Sequence, residues 1–318
     1  FNNPVAGVPI GWTVIDGGGT VNPPTATTNA SGIATTSWTL GTATTPADSI
    51  QQVQASGVAS PLTFTAFTVP EAVSGAQTIV AATPGTITAS NGSSATAITV
   101  TVRDQYGNVI EGKTVTLAVT GTGNIVTPPA GPTDANGVAT GTLSSTAAET
   151  KTVSARVDTQ LMAQTAAVRA TAGLVSSALS SVSATSPIAS GTGTSTITVT
   201  GRDAFGNLIP GATVVLTATG TGNTLNQPSG PTNALGVATG TLSSTVAETK
   251  TVAATIDAVA IAETAAVTVT AGTVTKLIIT TEPGASAQSG VVLATQPVVR
   301  LRDALDKDVS QAGVVVTA

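Results

Sequence analysis

The sequence predicts an all-β protein built as a tandem array of antiparallel β-sandwiches. Three observations carry that expectation. A block of 99 residues repeats along the 318-residue chain. Within each block, apolar and polar residues alternate with the period of two that marks a strand with one buried face. Gly, Asn, Pro and Asp fall between the alternating runs, where the chain must turn.

The repeat is explicit. "VRDQYGNVIEGKTVTLAVTGTGN" from Val102 returns as "GRDAFGNLIPGATVVLTATGTGN" from Gly201, and "GPTDANGVATGTLSSTAAETKTVSARVD" from Gly131 returns as "GPTNALGVATGTLSSTVAETKTVAATID" from Gly230; both offsets are 99 residues. Copies this alike share one fold. The start of the chain follows at offset 105, with Phe1 on Tyr106, Asn3 on Asn108 and Gly7 on Gly112. An insertion after Trp38 then moves it to offset 100 at Val53. The end follows at offset 100, with Asp203 on Asp303, but Gly206-Asn207 becomes Asp306-Lys307 and Gly211 becomes Gln311.

The expected domains are thus a part-repeat over 1–70 lacking its first strands, whole repeats over 71–171 and 172–271, and a part-repeat over 272–318 lacking its last strands. Phe1 is no initiator, so the chain reads as a fragment or a processed form. Half a sandwich leaves its core open. The outer part-repeats are therefore expected to be completed by another copy or by further chain.

Each strand is justified by its own pattern. In "AITVTVRD", Ile98, Val100 and Val102 face one way and Thr99 and Thr101 the other. "KTVTLAVT" alternates Val115, Leu117 and Val119 with Thr114 and Thr116; "KTVSARVD" alternates Val153, Ala155 and Val157 with Thr152 and Arg156. "TIVAAT", "GTITAS", "GVATGTLSS" and "QTAAVRATA" complete the set, while "VSSALSSVSAT" has the weakest pattern. Seven or eight short strands in about 100 residues is the signature of an Ig-like sandwich. Linkers as short as "TAGLVSSALS" predict an extended, stiff row in which each repeat meets only its neighbours.

Composition narrows the function. Charged residues are 8% and aromatic residues 2%, and the net charge is −5. Without a basic stripe, neither nucleic acid nor an anionic membrane surface is an expected partner. No apolar run is long enough for a spanning helix, so the chain is not expected to be membrane-embedded. With no Cys and no His, the common zinc sites, disulfides, thiol nucleophiles and His-based triads are excluded. Thr covers the polar strand positions, as suits a charge-poor sheet surface.

The motifs add a resemblance. Asp104, Gly107, Asn108, Ile110, Gly112 and Val115 follow D-x-x-G-N-x-(V/I)-x-G-x-x-V, as do Asp203, Gly206, Asn207, Ile209, Gly211 and Val214. A T-(D/N)-x-x-G turn follows at Thr133–Gly137 and Thr232–Gly236, and also stands at Thr28–Gly32. This pattern resembles the bacterial Ig-like repeats of the invasin and intimin type, and "TKLIITTEPG" from Thr275 resembles their opening strand. The resemblance implies extracellular stalks and spacers, with adhesion usually carried by other modules.

Several polar clusters admit a site or a plainer role. Asp104, Tyr106, Gly107 and Asn108 could form a calcium loop, but calcium takes about six to eight oxygens and this loop offers one carboxylate, so a turn is expected. Asp303–Asp308 gathers three carboxylates and is the better cation candidate, although Lys307 intrudes. Glu149/Lys151 and Glu248/Lys250 stand two apart on a strand, which predicts surface ion pairs. A Lys–Asn crosslink, known in some Ig-like domains, needs a lysine inside the core; these positions at a strand start argue against one. Asn29-Ala-Ser31 and Asn91-Gly-Ser93 match the glycan acceptor pattern. Trp12 and Trp38 align with Leu117 and Leu143, so packing is expected of them.

No catalytic, cofactor-binding or metal residue is therefore assigned, and no cofactor. The expected function is the structural repeat region of a bacterial extracellular fibre or cell-surface stalk. Its expected partners are other copies of itself, head to tail or side by side, and a host or matrix surface. The rivals are a ligand-binding adhesin and spacer modules of a secreted polysaccharide-active enzyme.

Overall fold

The computed structural model describes residues 3–44, 49–310 and 315. Phe1 and Gln311, which entered the repeat alignment, lie outside them. The chain divides into two units, Phe1–Thr171 and Ala172–Ala318. All regular structure is β, and no helix occurs among the described residues.

The first unit opens with β1 (Pro9–Asp16), β2 (Thr20–Asn22), β3 (Thr25–Thr27), β4 (Ser37–Thr39), β5 (Ile50–Ser56) and β6 (Leu62–Phe67). These form a four-stranded sheet, β3-β1-β5-β6, and a two-stranded one, β2-β4. A complete sandwich follows: β7 (Ile79–Thr83), β8 (Thr86–Thr88), β9 (Thr96–Thr101), β10 (Val115–Val119), β11 (Asn124–Thr127), β12 (Val138–Ser145), β13 (Thr150–Val157) and β14 (Gln160–Thr171). One sheet runs β11-β12-β9-β7 and the other β10-β13-β14-β8. The opening strand splits between them: β7 pairs antiparallel with β9, and β8 crosses over to pair in parallel with β14.

The second unit repeats the plan with β15 (Ser181–Ala184), β16 (Ile188–Ala189), β17 (Ser195–Thr200), β18 (Val214–Ala218), β19 (Asn223–Asn226), β20 (Val237–Ser244), β21 (Thr249–Ile256), β22 (Val259–Ala260) and β23 (Ala265–Thr270). Its sheets run β15-β17-β20-β19 and β16-β23-β21-β18, with β22 on β21. The hairpin β24 (Lys276–Thr281) and β25 (Val298–Arg302) follows.

The expected alternation is the packing. Ile98, Val100, Val102, Val153, Ala155 and Val157 are buried together with Leu143, Met162 and Val168, and Leu117 and Val119 pack against them half-buried. Ile197, Val199, Leu242, Val252, Ile256 and Val267 repeat this core. Burying each such aliphatic side chain contributes about 1.5–3 kcal/mol, so Val, Ile and Leu suffice without aromatic residues. The first half of the weak "VSSALSSVSAT" segment makes one turn, Ser180 N–H donating to Ser176 O, and its second half is β15. Trp12 is half-buried, its ring 5.9 Å from that of Phe64.

One expectation fails. Lys151 and Lys250 are not surface residues but are among the largest fully buried side chains, each 0% exposed. The physical reason is parity. Lys151 lies two residues before Val153 on β13, so period two turns it to the core face.

Candidate functional site

The two sequence motifs fold onto each other. Thr133 Oγ1 accepts from Lys113 N–H at 2.9 Å and donates to Ile110 O at 2.7 Å, so the T-D-x-x-G turn is pinned to the end of the D-x-x-G-N hairpin. Thr232 does the same with Ala212 and Ile209. Asp134 Oδ1 accepts the amides of Asn136 and Val138, and Asn233 and Asn29 close their own turns in the same way. Asn29, the first glycan acceptor position, is thus also a turn residue.

Asp104 is the centre of the first hairpin and is fully buried. Its Oδ1 accepts the amides of Tyr106 and Asn108, both at 2.9 Å. Its Oδ2 accepts Asn108 Nδ2 at 2.8 Å and the amide of Glu71 at 3.1 Å. Gly107, at φ +89°, makes the bend between them. Four donors saturate both carboxylate oxygens. Burial pushes the carboxyl up, and the Asn108 side chain with the amides of Glu71, Asn108 and Tyr106 outweighs it, so Asp104 sits below its ordinary value. No acceptor capacity remains for a calcium ion at this carboxylate.

The arrangement recurs. Asp203 receives Phe205, Asn207 and Gly173 amides and Asn207 Nδ2. Asp303 receives the amides of Leu305, Lys307 and Gly272. Lys307 has no carboxamide to offer, and the fourth donor is Ser190 Oγ at 3.1 Å, from the preceding repeat. The acidic cluster of Asp303–Asp308 does not converge: Asp306 pairs with Lys276 at 2.9 Å and Asp308 with Arg300 at 2.7 Å. Among the described residues no group of three metal-ligating side chains is assembled.

Every one of these carboxylates holds the linker entering its own repeat, at Glu71, Gly173 or Gly272. In the first unit the hairpin also reaches the part-repeat before it. Asn108 Nδ2 donates to Thr42 O at 2.7 Å and Asn108 Oδ1 accepts from Thr44 N–H at 3.1 Å. Tyr106 and Phe67 line a cleft of about 420 Å³ there. In the second unit the equivalent side chain, Leu305, lies against Gly191, where an added Cβ would come within 2.5 Å of Leu305 Cδ1.

The buried lysines form a second polar cluster at one pole of each sandwich. Lys151 Nζ donates to Thr122 O and to Glu149 Oε1, and Glu149 Oε1 also accepts the Thr122 amide at 2.8 Å. Lys250, Thr221 and Glu248 repeat this. The Thr-Gly-Thr-Gly loop wraps the ammonium: Gly121, at φ +80°, would place a Cβ 3.2 Å from Lys151 Nζ. Glu149 is 42% exposed, and its hydrogen bonds from Lys151 and Thr122 hold its carboxyl below the ordinary value.

Gln51 stands at offset 100 from Lys151 and is likewise fully buried, its Oε1 accepting the Gly41 amide at 3.0 Å. The position therefore asks for a long polar side chain that can bind the wrapping loop. It does not ask for a charge or a nucleophile. Sequence reasoning missed this cluster, although the shared parity of Lys151, Val153, Ala155 and Val157 carried the signal.

Comparisons with known proteins agree with this fold. The family model described as bacterial Ig-like domain (group 1) matches residues 77–171 and 178–275, more than half of the chain. Among solved structures, the Escherichia coli adhesin FdeC is similar at a TM-score of 0.53 and 22% identity, over 84% of this chain and 88% of FdeC. Invasin, a bacterial integrin-binding protein, is similar at 0.55 and 21%, over 88% of this chain but 56% of invasin. InvD of Yersinia pseudotuberculosis gives 0.52 and 24%, over 73% and 72%. A search of curated protein sequences finds no match. With its sandwiches, its paired turn motifs and the family model in agreement, the chain belongs to the bacterial Ig-like domain (group 1) family.

Proposed function

We propose that this chain is a non-enzymatic structural region of a bacterial extracellular fibre or cell-surface stalk, organised as repeats over 1–70, 71–171, 172–271 and 272–318. One observation carries the reading. The most strongly recurring polar constellation, Asp104, Asp203 and Asp303 with their donors, is spent on holding linkers. A site that repeats with the fold and is saturated from within serves the fold.

Other copies of the chain are its proposed partners. Ile279 pairs with Val299 across the β24–β25 hairpin as Val182 pairs with Val199 across β15–β17. The latter two are buried, whereas Ile279 is 58% and Val299 41% exposed. These are inward-face positions that complementary strands, of another copy or of further chain, would cover.

The adhesin reading has one observation of its own, the exposed Phe64 and Phe67. Phe64 pairs with Val53 as Ala166 pairs with Val153, which makes it an inward-face position and favours packing over ligand capture. Electron micrographs of native material labelled with antibody to this chain test the proposal. Labelled rods or fibres at the cell surface are expected. Label confined to the cell interior contradicts it, and a non-fibrous surface layer that captures host protein supports the adhesin reading instead.

A further inference from the structure

We infer that the Asp-x-x-Gly-Asn hairpin is the joint lock of the array, the element that fixes a repeat on the pole of the one before it. The inference rests on the stalk reading for its purpose, but the lock itself is tested separately. Its two carboxylate oxygens divide the work. In Asp104, Oδ1 closes the hairpin's own turn through the Tyr106 and Asn108 amides. Oδ2 faces outward, to the Glu71 amide of the linker and to Asn108 Nδ2. Asn108 then carries the contact across the joint, with its amide nitrogen on Thr42 O and its oxygen on Thr44 N–H. One carboxylate, one carboxamide and three backbone groups from two other segments thus close a single network.

The second unit shows that the joint, and not the hairpin alone, is what the residues serve. Where Lys307 replaces the asparagine, the vacant place on Asp303 Oδ2 is filled from across the joint by Ser190 Oγ, a residue 113 positions away. The Gly272 amide keeps the linker bond that Glu71 makes in the first unit. Leu305, at the position of Tyr106, presses on Gly191 of the same pole loop. The pole is in turn tied to its own sandwich, because the Gly191 amide donates to Ser244 O at the end of β20. Two joints with different side chains thus reach the same result: a buried aspartate bonded to the linker, and a side chain bridging to the preceding pole. Asp104, Asn108, Ser190 and Asp303 are positioning residues on this account.

The test measures the joint directly. The chain has no cysteine, so Thr13→Cys and Thr116→Cys, both at exposed strand positions, accept two spin labels on either side of the first joint. Pulsed electron resonance on the full chain then gives the distance distribution. Asp104→Asn is the discriminating variant. It leaves an oxygen for the two turn amides and sets a donor against the Glu71 amide and the Asn108 side chain, so it spares the turn and opens the joint. Asn108→Ala removes the bridge, and with it one donor to Asp104 Oδ2, while the Tyr106 and Asn108 amides stay on Oδ1 and the Glu71 amide on Oδ2. The parent should give one narrow maximum, and both variants a broadened distribution, with hydrogen exchange in β9 and β13 unchanged. An equally narrow distribution in the folded variants overturns the inference. If Asp104→Asn unfolds the repeat, Asn108→Ala decides by the same readout. Loss of the lock would leave the stalk reading standing, and a non-fibrous native form would leave the lock standing.

Discussion

Replacing Lys151 separates what the buried ammonium does from what its stem does. Three variants grade the loss. Lys151→Gln keeps a long side chain with a donor, as Gln51 does naturally at the equivalent place. Lys151→Met keeps the stem and removes both bonds from Nζ. Lys151→Ala removes the stem as well. A hydrogen bond to a charged group contributes about 1.5–3 kcal/mol. Stranding a wholly buried partner charge would cost more, but Glu149 is 42% exposed and water replaces the lysine there. Thr122 O retains a long contact from Ser145 Oγ at 3.4 Å.

The expected costs are therefore below about 1 kcal/mol for Gln and about 1–3 kcal/mol for Met, rising to about 3–5 kcal/mol for Ala, which adds a cavity. Unfolding of a multi-repeat chain is not a two-state process, so native-state hydrogen exchange at the β10 and β13 amides is the appropriate assay. An order of Gln below Met below Ala confirms the reasoning. A Gln variant as damaging as Ala refutes it, since the site would then require the charge itself.

Other outcomes follow from the same geometry. Glu149 and Glu248 have folded values held below their ordinary ones by the paired lysine and a loop amide, so their contribution is present above about pH 4.3, the unfolded value, and is lost as pH falls through the folded one. Exchange measured between pH 7 and pH 3 should show that loss, and Lys151→Met should remove it from the 71–171 repeat. Asp104, Asp203 and Asp303 are depressed too, so the linker bonds should survive mild acid and weaken only below about pH 4, as limited proteolysis at the linkers would show. Calcium or EDTA should leave the melting profile unchanged, because the hairpin carboxylates are saturated and Asp306 and Asp308 are ion-paired; a calcium-dependent upward shift contradicts this. Intact mass spectrometry should give the sequence mass, with no loss of ammonia from a Lys–Asn bond, because the buried Lys151 and Lys250 ammonium groups bond a loop carbonyl and a glutamate.

The fold was largely legible because period-two alternation of Val, Ile and Thr states which face is buried without reference to anything distant. Ile98, Val100 and Val153 could be placed that way. The turn role of Asp104 and Gly107 was legible from local chemistry. The task of Asp104 Oδ2 was not, because Glu71 is brought to it, and the Thr42–Thr44 loop to Asn108, only by the packing of separate segments. The burial of Lys151 is hidden in the sequence because a lysine beside a glutamate is ordinarily a surface pair, and only the parity it shares with Val153 points inward. The change at Asp306-Lys307 stood out in the sequence, but its compensation by Ser190 could be seen only in three dimensions.

The central claim is mechanical, and stretching the chain by its ends in a single-molecule force instrument tests it most directly. Resolved unfolding steps are expected, one for each whole repeat, at forces well above the instrument's noise, with the joints holding before the sandwiches open. Extension at negligible force, without discrete steps, would contradict it.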